Sequence, residues 1–223
     1  KRGLAALDAG SLDRAIADFS EAIRLDPDAF EARFYRGISH ALAGRSQEAL
    51  DDYTAAIRRW PDRPEVYRER ARAYIGLGAE GLALGDYTEA IRLKPDADAY
   101  LARAGLHHEM GSYDEALADC DRALRLRPGD PTAFYLRGLT RYHAGDYAGA
   151  VADFTEVLRF DPRDARAYRA RGDAHARLGK RAEAEADHEA FERLSRPSGA
   201  GGPDRPAVPA GPGGPGAGRG HSP

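Results

Sequence analysis

Small and aromatic residues recur along the chain with the spacing of one buried helix face. Ala15, Phe19 and Ala22 stand at positions i, i+4 and i+7, which lie on the same side of an α-helix. The triplet returns in copies that begin at Ala49, Ala83, Ala116 and Ala150. In the copy that begins at Ala116, Cys120 stands at the position of the aromatic residue. In the copy that begins at Ala150, Val157 stands at the position of the second alanine. The pattern predicts a series of amphipathic helices of one kind.

Prolines and glycines set these helices on a repeat of about 34 residues. Pro27, Pro61 and Pro95 are 34 residues apart, Pro128 follows after 33, and Pro162 after another 34. A small residue comes ten positions after each proline: Gly37, Ala71, Gly105, Gly138 and Gly172. A glycine comes 17 positions before each: Gly10, Gly44, Gly78, Gly111 and Gly145. Because proline ends a helix and glycine allows a tight turn, each repeat is predicted to be an antiparallel helix pair.

Such a helix pair cannot bury its apolar face alone, so the repeats are expected to stack. The spacing and the ladder of Gly138, Gly145, Ala150, Phe154 and Pro162 resemble the tetratricopeptide repeat over residues 1 to about 196. The resemblance implies an all-α fold, a right-handed superhelical solenoid of antiparallel helix pairs. Six units are predicted: a truncated unit at 1–29, then 30–63, 64–97, 98–130, 131–164, and 165–197 with a polar C-terminal cap.

Two units depart from the pattern. In unit 64–97, Gly81 and Gly85 fall inside the second helix, where each costs about 1 kcal/mol relative to alanine. The segment from Gly85 also imitates an inter-helix turn, so a register with a longer first helix stays open, although the proline spacing favours the regular one. Unit 98–130 is one residue short between Gly105 and Gly111, and its first helix is expected to end early or its turn to tighten.

Residues 198–223 have a different composition. Glycine and proline make up 15 of these 26 residues, which cannot sustain a helix or a core. We therefore expect a disordered tail after the last helix, in preference to a proline-rich ligand motif. The chain begins at Lys1 without an initiator methionine, and the protein is expected to be a piece of a longer one. The preference for arginine over lysine is typical of a high-GC bacterium.

Candidate chemistry is sparse. Cys120 is the single cysteine and is interpreted as a core thiol. His40, His108 and His175 take the place of a packing tyrosine, and a metal site from His107, His108 and His143 is less favoured because no supporting ligand spacing accompanies them. We predict no catalytic residues, no metal, no cofactor and no small-molecule substrate, hence not an enzyme. No apolar run approaches the roughly 18 residues of a membrane span, and a cytoplasmic location is expected.

One charged pattern repeats with the helices. Aspartates hold one place in every unit: Asp18, Asp52, Asp86, Asp119, Asp153 and Asp187. Arginines hold another: Arg2, Arg36, Arg70, Arg137 and Arg171. In the short unit Ala104 is placed where the arginine belongs. These residues are predicted to form structural ion pairs between the first and second helices.

The resemblance also implies a binding surface, because first helices line the concave face in that family. Its ligand-facing positions correspond to Phe34, Ile38, Arg68, Arg72, Tyr135, Leu139, Tyr142 and Arg169. In the short unit they correspond to Ala102, Leu106 and Glu109. For residues such as Ile38 and Leu139, packing between helices is an equally good interpretation.

First helices from Glu31 to Arg177 carry twelve arginines against five counted carboxylates, which favours an acidic, partly apolar peptide. The predicted function is therefore a protein-interaction scaffold. A substrate-selecting region of a larger enzyme is the alternative. Nucleic-acid binding is less favoured, because the net charge is -3 and lysine is scarce. A clamp for chaperone C-termini is disfavoured, because that clamp uses asparagine and this chain has none.

Overall fold

The computed structural model describes residues 1–196, and the predicted tail lies outside the described residues. This part of the chain forms twelve α-helices and no strand. They are α1 (Arg2–Asp8), α2 (Leu12–Leu25), α3 (Phe30–Leu42), α4 (Ser46–Arg59), α5 (Pro64–Gly76), α6 (Glu80–Leu93), α7 (Ala97–Glu109), α8 (Tyr113–Leu126), α9 (Pro131–His143), α10 (Tyr147–Phe160), α11 (Ala165–Arg177) and α12 (Arg181–Ser195). Odd-numbered helices are the first helices of their units, and even-numbered helices the second. The all-α solenoid of helix pairs is confirmed.

Each pair turns on a glycine in the left-handed region. Gly44, for example, has φ +74° between α3 and α4, a conformation that costs glycine no steric penalty. Gly78 holds the same kind of turn between α5 and α6, with φ +69°. Helix α6 accordingly begins at Glu80 and includes Gly85, which is the register that the proline spacing favours.

The short unit loses its residue in a different place from the one predicted. Helix α7 has 13 residues, as α5 and α9 have, and Gly111 turns the chain normally with φ +76°. The missing residue belongs to the loop before α7. Only residues 94–96 join α6 to α7, whereas four residues, 60–63, join α4 to α5. The expectation of an early helix end near His107 was wrong, because a loop loses a residue without breaking a helical hydrogen bond.

Small residues of the first helices face the large residues of the second. A methyl group added at Gly37 would come within 2.6 Å of the Tyr53 ring, and one added at Gly138 within 2.8 Å of the Phe154 ring. Tyr53 and Phe154 are both fully buried. In the short unit the fully buried residue is Ala104 rather than Gly105, so every assignment made there from Gly105 is displaced by one position.

Neighbouring units pack unevenly on their two sides. First helices contact the next first helix in the pairs α3 with α5, α7 with α9 and α9 with α11, whereas no two second helices within residues 1–196 make comparable contact. Helices that approach one another along a stacked array lie on its inner side. The first helices therefore line the inner face of the described array.

Candidate functional site

One depression on the inner face lies between α9, α11 and α12. One hollow of about 310 Å³ is lined by Tyr135, Leu139, Arg166, Arg169, Ala170, Asp173 and Phe191. A second hollow of about 190 Å³ adjoins it and is lined by Leu139, Tyr142, His143, Phe154, Ala170 and Asp173. Leu139, Ala170 and Asp173 belong to both. We call the two together the C-terminal hollow, and it brings together four of the predicted residues, Tyr135, Leu139, Tyr142 and Arg169.

The other four predicted residues do not share one depression. Ile38 and Arg72 line a hollow of about 340 Å³ between α3 and α5. Arg68 lines another, of about 500 Å³, beside the loop that joins α6 to α7. Phe34 lines neither and packs against Phe30, with ring centroids 5.6 Å apart. The inner face therefore offers separate hollows rather than one uniform groove.

Two of the predicted arginines already have carboxylate partners. Arg68 NH1 donates to Asp96 Oδ2 at 2.8 Å, and the Asp96 side chain also caps α7 by accepting from the amide of Ala99. Arg72 NH1 donates to Glu69 Oε1 at 2.7 Å. Their charges are thus largely balanced within the chain.

The repeated arginines and aspartates form the predicted ion pairs. In each of five units the arginine of the first helix donates through Nε and NH2 to both oxygens of the buried aspartate, at 2.6 to 3.0 Å. The pairs are Arg36–Asp52, Arg70–Asp86, Arg103–Asp119, Arg137–Asp153 and Arg171–Asp187. In the truncated unit Arg2 approaches Asp18 at 3.8 Å. The prediction is confirmed, and we call these five bidentate pairs the forks.

The short unit is no exception to this pattern. Arg103 holds the place that the sequence interpretation gave to Ala104, and it makes a complete fork with Asp119. The same displacement moves the predicted inner-face residues Ala102, Leu106 and Glu109, since Leu106 is buried at 2% exposure. Counted from the start of α7, the residues equivalent to the predicted inner-face positions of the other first helices are Asp98, Leu101, Gly105 and His108.

Each fork also reaches the preceding unit, which the sequence interpretation missed. The NH1 group of the arginine donates to an oxygen on the previous second helix. The acceptors are Ser20, Thr54, Thr88, Asp121 and Thr155. All of them stand two residues after the repeated aspartate, or after Asp18 in the first unit, a spacing that could have revealed them. One guanidinium therefore holds three helices together.

The carboxylates raise the pKa of four fork arginines above its ordinary value: Arg36, Arg70, Arg137 and Arg171. The hydrogen bonds that Arg36 donates to Asp52 raise the pKa of Arg36, against an opposing effect of burial. The hydrogen bonds that Arg137 donates to Asp153 raise the pKa of Arg137 in the same way, and the one that it donates to Asp121 contributes further. These arginines serve packing and are not available to a ligand.

Pairing also changes the predicted charge of the inner face. Besides the five forks, Arg141 donates to Asp153 at 2.8 Å and Arg166 to Asp164 at 3.0 Å. Asp98 on α7 adds a carboxylate that the sequence count left out. The first helices of residues 30–177 keep three arginines without a carboxylate contact inside the described chain: Arg33, Arg169 and Arg177.

Phe191 of α12 completes the C-terminal hollow, and His188 of the same helix contacts Asp173 in its wall; the sequence pattern placed neither residue on the binding surface. Phe191 is half-buried and lies under the guanidinium of Arg169, 5.7 Å from its ring centroid. His188 Nε2 lies 3.0 Å from Asp173 Oδ1. In the buried triplet of this unit His188 takes the position of the usual aromatic residue and Phe191 that of the last alanine. The sequence of this unit predicted only a polar C-terminal cap.

His40, His107 and Cys120 occupy packing positions. His40 and His107 share the helical position of Tyr74, so His107 and not His108 is the packing residue of α7. His108 Nδ1 instead lies 3.0 Å from the Thr140 hydroxyl, which donates to the carbonyl of Leu136. Burial raises the pKa of the Cys120 thiol to about 12, which disfavours the reactive thiolate. Among residues 1–196 no group of three or more His, Cys, Asp or Glu side chains could hold a metal ion.

The described helices are also unlike membrane spans. None of those within residues 1–196 combines the length and the apolar character needed to cross a bilayer. The longest, α12, has 15 residues and carries charged side chains along its length.

Solved structures of similar shape are numerous. A tetratricopeptide repeat protein from Parabacteroides merdae is 27% identical, with a TM-score of 0.75 over 87% of this chain and 78% of that one. The C-terminal part of a TPR repeat-containing protein from Cytophaga hutchinsonii is 18% identical, with a TM-score of 0.77 over 86% of this chain and 77% of that one. YrrB, described as a TPR protein with an unusual peptide-binding site, is 18% identical, with a TM-score of 0.70 over 79% and 92%.

Family models agree with this likeness, whereas the comparison with curated proteins finds no match. One tetratricopeptide repeat model matches residues 1–64, 43–97 and 68–131, a second matches 104–159, and a TPR repeat model matches 140–179. Arrays of this kind are typically protein-interaction scaffolds without enzymatic activity, and their presence here indicates such a role. The chain belongs to the tetratricopeptide repeat family.

Proposed function

We propose that this protein binds a segment of a partner protein on its inner face, and that the C-terminal hollow is the main contact site. The observation that carries the proposal is the joining of two hollows around Leu139, Ala170 and Asp173. Their walls are mostly aromatic and aliphatic, with a few polar groups at defined places, which is the usual composition of a binding site for side chains.

The chemistry of the hollow favours a partner segment that is acidic and partly apolar. Tyr135, Leu139 and Tyr142 offer apolar surface, and Arg169 offers a cation without a carboxylate contact in residues 1–196. The likeness to YrrB, which is described as having a peptide-binding site, supports a peptide as the ligand but not its acidic character. Nucleic acid is a weaker candidate, because carboxylates of the chain already occupy most inner-face arginines and leave few for phosphates. The cytoplasmic location and the bacterial origin stay predictions.

A peptide-display experiment tests the proposal. Random peptides selected on the full chain would be measured against Ala170→Gln, which fills both hollows with a longer side chain but keeps a good helix former. The matched control is Ala182→Gln, on the exposed surface of α12. We expect selected peptides to bind the wild type and the control alike and to lose about tenfold or more in affinity for Ala170→Gln. Equal binding to all three proteins would show that the C-terminal hollow is not the site.

The arginines of the more N-terminal hollows serve this test less well. Reversing Arg68 and Arg72 to glutamate would leave Asp96 and Glu69 beside new negative charges. The resulting loss of binding would mix charge repulsion within the chain with loss of a ligand contact. Ala170 has no such internal partner, and for this reason it is the sharper position.

A further inference from the structure

Two arginines without a carboxylate partner among residues 1–196 lie at the C-terminal hollow: Arg169 lines it, and Arg177 lies next to it. Arg169 lies over Phe191, with its guanidinium carbon 5.7 Å from the ring centroid. Arg177 does not line the hollow itself but lies next to it, 5.9 Å from the ring centroid of the lining residue Tyr142 and 4.6 Å from that of Tyr147. Both side chains are exposed. Aromatic faces hold each guanidinium while its N–H groups stay open to an acceptor.

This pair differs from the other inner-face arginines. Fork arginines give their N–H groups to buried aspartates, and Arg68, Arg72, Arg141 and Arg166 each donate to a carboxylate at 2.7 to 3.0 Å. Arg33, the third arginine without such a contact, donates to the carbonyl of Pro27 and lines none of the hollows described. Two of the three arginines without a carboxylate contact in residues 1–196 therefore lie at the C-terminal hollow.

The spacing of the two arginines sets the spacing of the groups that they can bind. They are eight residues apart on α11, which is about 12 Å along a helix axis at about 1.5 Å per residue. An extended peptide rises about 3.3 Å per residue, so two of its side chains four positions apart lie about 13 Å from each other. A segment laid along α11 with carboxylates at positions i and i+4 would therefore space them about as far apart as the backbone positions that carry the two arginines.

The residues in the middle of the hollow determine which side chain of the bound segment fits between its two carboxylates. Leu139 and Ala170 offer apolar surface there, which suits an aliphatic or aromatic side chain. Asp173 lies beside them, about 47% exposed, with one oxygen 3.0 Å from His188. Its carboxylate would repel a third acidic group and would accept a hydrogen bond from a peptide amide. The central position is therefore apolar and not acidic.

We infer that the C-terminal hollow recognises an extended partner segment in which two acidic residues, four positions apart, flank an apolar residue. Arg169 and Arg177 bind the two carboxylates, and the apolar side chain enters between Leu139 and Tyr142. This inference rests on the proposed function, because it specifies the partner of the same site. It commits to a protein segment, since the recognised pattern combines carboxylates with a side chain at a defined spacing.

Synthetic peptides of about twelve residues test the pattern directly by fluorescence anisotropy on the full chain. The first carries two glutamates four positions apart with a leucine between them. The second has the same composition with adjacent glutamates, the third has glutamines in their place, and the fourth has serine in place of leucine. We expect the first to bind most tightly, the other three to bind about tenfold more weakly, and the difference between the first and third to shrink with added salt.

A double variant assigns the effect to the two arginines. In Arg169→Gln/Arg177→Gln the first peptide should bind no better than the third does to the wild type. The control Arg58→Gln/Arg125→Gln removes the same charge from exposed positions on second helices and should leave the preference for the first peptide intact. Equal binding of the first and second peptides, or an unchanged preference in the double variant, would overturn the inference.

The proposed function can survive that failure. Peptides selected on the chain that depend on Ala170 but lack flanking acidic residues would refute the inference and still support binding in the C-terminal hollow. If no selected or synthetic peptide responds to Ala170→Gln, the proposed function itself fails. The two results are therefore distinguishable with the same set of proteins.

Discussion

The unit built from α5 and α6 and the unit built from α9 and α10 share one architecture with different local support. Both pair a helix of 13 residues with one of 14, and both contain a fork. Helix α10 starts with a side-chain cap, in which Asp146 accepts from the amide of Gly149. Helix α6 has no side-chain cap and contains Gly81 and Gly85 with open space around them. The buried face and the fork thus fix the architecture, whereas caps and exposed positions set how stable each unit is.

Removing a fork arginine should have the largest effect, and a larger one in the first of these units. Asp86 is buried at 6% exposure with Arg70 as its only cation partner in residues 1–196, whereas Asp153 also accepts from Arg141. We expect Arg70→Ala to lower the free energy of unfolding by about 3 to 5 kcal/mol, because a buried carboxylate loses its partner. Arg137→Ala should cost less. Urea unfolding followed by circular dichroism measures both.

An exposed pair provides the control for this prediction. Arg92 and Glu89 form an ion pair on the surface of α6, and such pairs contribute about 0 to 1 kcal/mol. Arg92→Ala should therefore shift the urea midpoint far less than Arg70→Ala. Unchanged stability in Arg70→Ala or in Arg137→Ala would contradict the structural role assigned to the forks.

The next largest effect is expected where a first helix touches a buried ring. A methyl group at Gly138 would lie 2.8 Å from the Phe154 ring, and the buried ring has no room to withdraw. Gly138→Ala should cost about 2 kcal/mol through overpacking. Gly105→Ala is the comparison, because no atom lies within 4 Å of a methyl group added there. A loss of stability in Gly105→Ala would restore the register that the sequence suggested, with Gly105 as the packing residue.

A smaller effect, of opposite sign, is expected on the exposed side of α6. Gly81→Ala and Gly85→Ala should each raise the free energy of unfolding by about 1 kcal/mol, because alanine favours the helix and meets no neighbour. Gly149→Ala in α10 should bring no such gain, since the added methyl group would collide with the Asp146 carboxylate that caps the helix. Thermal melts of the three variants make the comparison, and equal gains at all three positions would count against it.

The smallest effect concerns pH. Burial lowers the pKa of His40 below its ordinary value of 6.5, so the unfolded chain binds a proton at a higher pH than the folded one. Stability from this group is therefore complete above about pH 6.5 and falls as the pH drops below that value. In His40→Tyr, which copies Tyr74, the loss of stability between pH 7.5 and pH 5.5 should be smaller. Chemical unfolding at both pH values tests this, and an identical loss in both proteins would refute it.

Sequence patterns were sufficient for the helix pairs and the ion pairs, because both depend on local periodicity. The same patterns misplaced the positions of α7 by one residue. The proline spacing was used to number the positions of α7, but Pro95 belongs to the loop that lost a residue, and Gly105 then looked like the packing position instead of Ala104. In sequence, Gly105 looks the same as a glycine at a packing position, such as Gly138. Burial distinguishes the two cases, because in α7 Ala104 is fully buried and Gly105 is not.

The inner face was harder to predict than the fold. The arginine count overstated the charge open to a ligand, because partners such as Asp96 for Arg68 stand 28 residues away and follow no repeat. The role of Phe191 was hidden for a related reason, since it joins the C-terminal hollow from the last second helix. Which side chains converge on a hollow depends on how units stack, and the helical period alone does not contain that information.

The forks have a consequence for how the array folds. Each guanidinium ties its own unit to the one before it, so a unit gains part of its stability only when its neighbour is already in place. Within residues 1–196 the hydrogen bonds that span the most sequence join residues 32 positions apart. This part of the chain therefore has a low contact order, which favours rapid folding. Formation can begin at any well-supported unit, such as the capped α9–α10 pair, and spread outward one helix pair at a time.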